Sequence, residues 1–526
     1  MKVSTLFRAA ASLMGAAALC FNAYAEKLVI LHTNDTHSAI EVSADGTGGV
    51  LQRKAIIDSV RRAEKNVITV DAGDMVQGSL YFKYFRGDVE YPLMDMIGYD
   101  VRILGNHEFD NGMKDLAEKY RTVKGARLSA NYDFDGTELE GVFSPYVIKK
   151  IGGKKIGFIG LNVDPASLIS ANNIDVRFKD IIPEANRVAA YLKHDKKCDL
   201  VVAVTHIGYE KENEKTTDPE LIAASSDIDI VIGGHSHTLI DPAHPEKYPS
   251  LLPNADGKLV RVGQTGKYGK YIGKITIDLD RLKGSDGKDY EYELIPVTDR
   301  FPEDKLDKRM KDFIEPYRQV VDSIGGRVIA RSAYSMKNGE RVGPMANMTA
   351  DLTYDYLRHK VDSLQAAGVD VPRLDMAIMN VGGIRQDMPE GDITEGQILS
   401  TYPFSNYFVI VEIKGQDLID ALAVGARKGG EGISGNVRVV TDGKGGVRRV
   451  VIDGEEMDPE KTYILGTINY AAEGNDDMVS LARHRLIWTD DVEVAAPTLR
   501  WFVRQGELGV PVAPDPNPRY VTDTSL

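Results

Sequence analysis

Cysteine is nearly absent: the chain has two in 526 residues. Cys20 closes an apolar N-terminal stretch, and beyond it only Cys198 remains. A lone cysteine forms no internal disulfide. Its place between Lys196-Lys197 and an apolar run reads as a bland, partly buried thiol. Positive charge is also scarce. Lys and Arg number 64 against 78 Asp and Glu, a net charge of −14. No global basic field therefore draws in a nucleic-acid polymer, and an anionic substrate has to be recruited locally, by metal ions and a few arginines. No stretch after the N-terminus is long and apolar enough to be a transmembrane helix. Internal repeats and low-complexity segments are absent too.

What is present begins with a leader. Lys2 and Arg8 give a positive start, residues 9–21 are mostly apolar, and Ala23-Tyr24-Ala25 is an A-x-A cleavage site, so the mature chain is expected to begin at Glu26, in the periplasm or outside the cell. The apolar run is too short for a membrane anchor. Lipidation at Cys20 is a minor alternative, because Ala17-Ala18-Leu19 lacks the small residue wanted just before the cysteine. The remaining length exceeds one ordinary core, so two or more domains are expected. From residue 27 to about 299, apolar runs alternate with helical stretches at 54–65, 113–120 and 183–194, which predicts a layered α/β domain (residues 26–302). Residues 271–279 alternate like an antiparallel strand. Residues 303–323 have helical spacing, hold Pro316, which should bend or break the helix, and end at Gly325-Gly326. This is the expected linker helix (303–326). A second α/β domain is expected over 327–526.

Five short motifs in the first half each follow an apolar run, and each offers a metal-binding side chain. They are Asp35-Thr36-His37, Gly73-Asp74, Gly105-Asn106-His107-Glu108, Thr205-His206 and Gly234-His235-Ser236-His237, after the runs 28–31, 67–70, 101–104, 200–204 and 228–232. Short apolar runs bounded by Gly and polar residues read as buried strands, and in open α/β sheets ligands bind at the carboxyl edge. The set is rich in His, Asp and Asn and has no Cys, so it suits hard or borderline divalent metals rather than thiolate-bound zinc. In extended backbone, residues two apart face the same way, so Asp35 and His37 are expected to reach one metal, and His235 and His237 to face together. Asp110 is placed to orient the His107 imidazole if a helical turn starts there. Blander readings stand beside these. Asp35-Thr36-His37 alone fits a solvated turn equally well, Gly73-Asp74 alone fits any turn, and Asn106 or Asp110 fits a helix cap. His32, His194, His244, His359 and His484 have no such context and read as surface or packing residues.

The order D-x-H, GD, GNHE, H, GHxH resembles that of the calcineurin-like metallophosphoesterases. Thr33-Asn34-Asp35-Thr36-His37, Asp71-Ala72-Gly73-Asp74 with Gly78-Ser79, Asn380-Val381-Gly382-Gly383-Ile384-Arg385, Pro403-Phe404-Ser405-Asn406, and Asn469-Tyr470 with Gly474-Asn475-Asp476 narrow the resemblance to the bacterial 5′-nucleotidase/UDP-sugar hydrolase family. It covers nearly the whole mature chain. It implies a four-layered metallophosphoesterase sandwich domain, a linker helix and a second α/β substrate-binding domain. It also implies an exported two-metal phosphohydrolase that attacks 5′-nucleotides with metal-bound hydroxide. By this resemblance Asp35, His37, Asp74 and His237 hold one divalent ion, and Asp74, Asn106, His206 and His235 hold the other. Manganese, zinc and cobalt all suit such ligands. His107 with Asp110 stabilises the transition state or protonates the leaving group. Phe404 and Tyr470 sandwich the base, Asp476 holds the ribose, Asn380 touches the base, and Arg385 and Arg341 grip phosphate. Without that context Phe404 and Tyr470 read as core packing. The implied partner is a nucleotide, with no membrane span and a monomer favoured.

Some positions depart from the family pattern. Ser405 stands where Gly is usual, Asn475 and Asp477 replace glycines, and a second arginine near Arg341 is missing, with Met345 near its place. These departures bear on phosphate grip and substrate range. Rival readings are a hydrolase of UDP-sugars or 2′,3′-cyclic nucleotides, a sulfur-ester hydrolase of the same fold, which has no need of the aromatic pair, and a non-catalytic nucleotide-binding surface protein.

Overall fold

The computed structural model describes residues 26–522 except 44, 165–175, 211–215, 283–285, 367 and 405. The expected leader, with Cys20 and the Ala23-Tyr24-Ala25 site, and Ser405 of the 403–406 element lie outside the described residues. Among the described residues no helix is long and apolar enough to cross a membrane.

The first half is built on two six-stranded sheets. One runs Glu291–Pro296, Tyr271–Asp278, Lys27–Thr33, Val67–Asp71, Val101–Ile103, Ala126–Leu128. The other runs Leu251–Pro253, Leu259–Gly263, Ile230–Ile232, Leu200–His206, Lys154–Asn162, Tyr146–Ile151. The strand Lys27–Thr33 shows why they stack. It is apolar at consecutive positions, because both of its faces are covered. Leu28 and Ile30 join a core shared with Val202, Val204 and Ile230 of the second sheet. Val29 and Leu31, pointing the other way, join a core with Ile56, Ile57 and Leu93 of the helices Val50–Ala63 and Glu90–Ile97. Helices thus flank paired sheets, giving the expected four layers. Tyr271–Asp278 pairs antiparallel with strands on both sides, in keeping with its alternating pattern. The strands Lys27–Thr33, Val67–Asp71 and Val101–Ile103 run parallel, as do Leu200–His206 and Ile230–Ile232, so their carboxyl ends open on common edges.

The helix Lys308–Gly325 follows. Pro316 lies inside it without ending it, so of the expected bend or break the break is not seen. The lost backbone hydrogen bond is offset by tertiary packing: Met310 and Ile314 are buried in the first-half core, with Phe313, Tyr317 and Val321 against it. Arg318 also grips Glu41 with Nε and Nη2, at 2.9 and 3.0 Å.

The second half centres on a five-stranded sheet, Gly432–Ile433, Met376–Met379, Thr462–Ile468, Tyr407–Lys414, Arg485–Glu493, packed on the long helix Pro344–Ala366. The two halves meet in one apolar cluster, where Leu80 of the first packs with Ile329, Ile398 and Phe502 of the second. Lys83 Nζ also lies 3.3 Å from Glu493 Oε2.

Candidate metal centre and the domain that faces it

Every expected metal-binding side chain of the first half sits just past a strand or at its last residue. Asp35 and His37 follow Lys27–Thr33, Asp74 follows Val67–Asp71, Asn106 follows Val101–Ile103, His206 ends Leu200–His206, and His235 and His237 follow Ile230–Ile232. The backbone there is not extended. Asp35, His37, Asp74, His235 and His237 have φ of 49°, 45°, 55°, 84° and 54°, the left-handed region that non-glycine residues seldom occupy. The period-two argument therefore fails for His235 and His237. Strained turns aim them at different clusters, and such strain concentrates where function requires it. Glycine gives the close approach: a Cβ on Gly105 would lie 2.2 Å from Asp74 Oδ1, and one on Gly234 would lie 2.8 Å from His206 Nδ1.

Two clusters result. In the first, Asp35 Oδ1 lies 3.9 Å from His37 Nε2 and 3.6 Å from His237 Nε2, and the two Nε2 atoms are 2.9 Å apart. In the second, Asp74 Oδ2 lies 3.2 Å from His206 Nε2, and His235 Nδ1 lies 2.9 Å from Asn106 Oδ1. The ligand atoms of Asp35, His37 and His237, and those of Asp74, His206 and His235, each fall within 4.8 Å of one another. His37, Asp74 and His107 form a third such group, which puts Asp74 between the two clusters. The helix-cap alternative for Asn106 and Asp110 is not seen. The helix Gly112–Thr122 starts at Asn111 with no side-chain cap.

The donor set fits divalent cations. His206 Nδ1 lies 2.7 Å from the Ala72 carbonyl, which can only accept, so the N–H is there and Nε2 is turned to the carboxylates. Nε2 is buried with no aligned hydrogen-bond partner. Burial disfavours its imidazolium, but Asp74 and Asp35 outweigh that and lift the pKa to about 10, so the pocket favours positive charge at this point. Burial, with Arg385 and the neighbouring histidines, holds His37 and His237 well below the usual imidazole range, leaving lone pairs on both. Burial raises the Asp35 carboxyl to about 6. Against the same burial, His206 and His107 hold Asp74 well below the carboxylate range.

The groups behind the ligands were not assigned from the sequence. Glu108 accepts from the backbone N–H of Gly105, Asp74 and Met75 at 2.5, 3.0 and 2.9 Å, which fixes the turn that carries Asp74. Asn34 Nδ2 donates to Asp35 Oδ2 at 2.6 Å, and Asn34 Oδ1 accepts from Thr265. The signal was in the motifs, Glu108 beside His107 and Asn34 beside Asp35, but only the backbone shows what they brace. His107 opens a single 3₁₀ turn, His107–Phe109, which brings Asp110 Oδ2 to 3.0 Å from its Nδ1. Burial works against the charged ring, yet Asp110 and Asp74 raise its pKa.

The second half faces this centre. The Phe404 ring lies 5.9 Å from that of His107, and the Arg385 guanidinium carbon lies 5.5 Å from the Phe404 ring centroid. Arg385 Nε and Nη2 are buried and make no hydrogen bond. Deeper in, Asn380 Nδ2 donates to Asp476 Oδ2 at 2.7 Å, and the Tyr470 hydroxyl donates to Asp476 Oδ1 at 3.3 Å. A narrow cleft with about 20 Å³ of free volume is lined by Asn380, Gly383, Tyr402, Phe404 and Asn406 among others, well below the size of a site that encloses a ligand. Arg341 is engaged elsewhere: Nη1 meets Glu431 Oε1 and the Gly430 carbonyl, while Glu431 Oε2 accepts from the Val381 N–H.

Most of the chain is similar to known proteins. Residues 28–239 match the calcineurin-like phosphoesterase family, and residues 323–483 match the 5′-nucleotidase C-terminal domain. Protein UshA of Yersinia enterocolitica is 28% identical over 486 residues, which is 85% of this chain and 86% of that protein. A 5′-nucleotidase of Mus musculus is 29% identical over 460 residues, 80% of this chain and 76% of that one. The crystal structure of a 5′-nucleotidase precursor from Thermus thermophilus superposes with a TM-score of 0.78 at 28% identity, covering 95% of this chain and all of that one.

Proposed function

Because the chain belongs to the calcineurin-like phosphoesterases that carry a 5′-nucleotidase C-terminal domain, and is a phosphoric ester hydrolase, we propose that it releases phosphate from 5′-nucleotides. The observation that carries this reading is the position of Arg385 and Phe404, from the second half, opposite clusters of His and Asp side chains that could each hold a metal ion and that meet at Asp74.

Asp35, His37, Asp74 and His237 would hold one divalent ion, and Asp74, Asn106, His206 and His235 a second. Bound there, such ions supply Lewis-acid stabilisation of phosphoryl charge and an activated water. The chain's own residues do the rest. Asp110 keeps His107 Nδ1 in a hydrogen bond and favours its charged form, so Nε2 has a proton to give to the leaving oxygen. Arg385 presents unpaired N–H groups for phosphoryl oxygens, a geometry arginine matches bidentately. Phe404 and Tyr470 hold the base by stacking, Asp476 accepts from the ribose hydroxyls, and Asn380 contacts the base edge. Arg341, paired with Glu431, acts on the loop at Val381 rather than on phosphate.

The reading carries a domain division at 26–302, 303–326 and 327–526, export by the leader with cleavage after Ala25, and a monomer. Its test is a panel of AMP, ATP, a UDP-sugar, a 2′,3′-cyclic nucleotide and a thiosulfonate, each assayed with manganese, zinc and cobalt. Turnover of the thiosulfonate alone, or of none of them, sinks it.

A further inference from the structure

Tyr268 lies in a glycine-rich stretch outside every motif described above, yet it touches both halves of the site. Its N–H donates to the Asp35 carbonyl at 2.7 Å. Its ring meets that of His37 edge-on at 5.9 Å. Its hydroxyl donates to the Arg385 carbonyl in the other domain at 3.3 Å. The Lys267 ammonium lies 4.9 Å from the ring centroid, on the same phenol. All this is held at φ 63°, a conformation a bulky residue rarely adopts. Glycine would sit there without strain, so what the strained backbone holds in place is the phenol itself.

Arg385 needs such a holder. Its N–H donates to the Thr401 carbonyl at 2.9 Å, a tie within its own domain. Its guanidinium is fixed by no hydrogen bond at Nε or Nη2. The tie from Tyr268 runs to the domain that carries the metal ligands. We propose that Tyr268 is a positioning residue that sets Arg385 in register with the His37–His237 cluster and so raises affinity for the transferred phosphoryl group. The proposal rests on the phosphate-ester reading above. It adds to that reading a residue that acts through another, since displacement of a gripping group by about 1 Å is enough to weaken its effect.

Tyr268→Phe keeps the ring against His37 and removes only the hydroxyl. Compared with wild type, Arg385→Ala and the double variant, it should raise the Ki of inorganic phosphate and the KM of p-nitrophenyl phosphate together. The expected rise is about three- to tenfold, the yield of one hydrogen bond. The kcat should stay within about twofold and the bound metal should be unchanged. In the Arg385→Ala background the same substitution should add less than about twofold, because the effect passes through that arginine. An unchanged Ki, an equal loss in both backgrounds, or loss of metal in Tyr268→Phe overturns the proposal. A wild-type protein that neither hydrolyses phosphate esters nor is inhibited by phosphate sinks the underlying reading instead.

Discussion

His37 and His237 face each other through their Nε2 atoms at 2.9 Å, although 200 residues separate them in the chain. Two imidazole lone pairs at that distance repel unless a proton or a cation lies between or beside them. Asp35, 3.6 Å from one and 3.9 Å from the other, supplies the negative charge that a cation would balance.

On the proposed reading Asp74 serves both ions, so removing its carboxylate should empty the centre. Asp74→Asn is expected to lose bound metal and to abolish phosphatase activity, while far-ultraviolet circular dichroism stays that of wild type. Metal analysis of the dialysed proteins decides it: an active wild type with no more than one tightly bound ion would overturn the two-cluster scheme.

His107 should behave as an acid and not as a ligand. His107→Asn is expected to lower kcat by about 10²–10⁴ with metal content intact. Loss of metal in this variant would make it a ligand, as its grouping with His37 and Asp74 allows.

The pH profile follows from the same pair. The folded-state pKa of His107 is raised by Asp110 and Asp74 against burial, so its charged form persists above the usual imidazole range and is lost as pH rises through the raised value. If that proton is needed, the alkaline limb of kcat/KM lies above the ordinary histidine range. Asp110→Asn should move the limb to lower pH, and an unmoved limb would mean that another group titrates.

Gly105→Ala tests the close approach at the centre. Its Cβ would fall 2.2 Å from Asp74 Oδ1, so the turn or the carboxylate must shift. A cost of about 1–3 kcal/mol is expected, by analogy with other overpacked sites. It should appear as weakened metal affinity ahead of lost thermal stability. Wild-type metal affinity in this variant would show that the turn adapts freely.

Phe404→Ala and Tyr470→Ala separate base recognition from chemistry. Each should cost about 1–3 kcal/mol with AMP, seen as a raised KM, and little with p-nitrophenyl phosphate. Equal losses on both substrates would make the rings supports of the fold.

The sheet order was not legible in the sequence, but the strand ends were. Apolar runs stop where Asp35, Asp74, Asn106, His206 and His235 begin, because a ligand edge cannot also be core. The helix Lys308–Gly325 was legible from its spacing, whereas its survival through Pro316 was not, since packing by Met310 and Ile314 is a tertiary fact. The divergence of His235 from His237 was hidden for a related reason: left-handed φ at non-glycine residues has no local sequence signal strong enough to override the alternation rule. Glu108 and Tyr268 were invisible as supports. One works through backbone N–H groups, the other through a carbonyl in another domain, and main-chain partners leave no trace in side-chain motifs.

The dispersal of the centre over five strand ends has a kinetic consequence. Asp35 follows the first described strand, Lys27–Thr33, and the first cluster stays open until His237 is in place. The sheets must pair across some 200 residues before that happens. Such long-range closure is slow compared with helix formation. Ion capture therefore comes late in the assembly of the first domain, and a chain truncated before His237 lacks part of the first cluster however well its early strands form. Metal uptake timed during refolding would mark the end of that assembly rather than its nucleus.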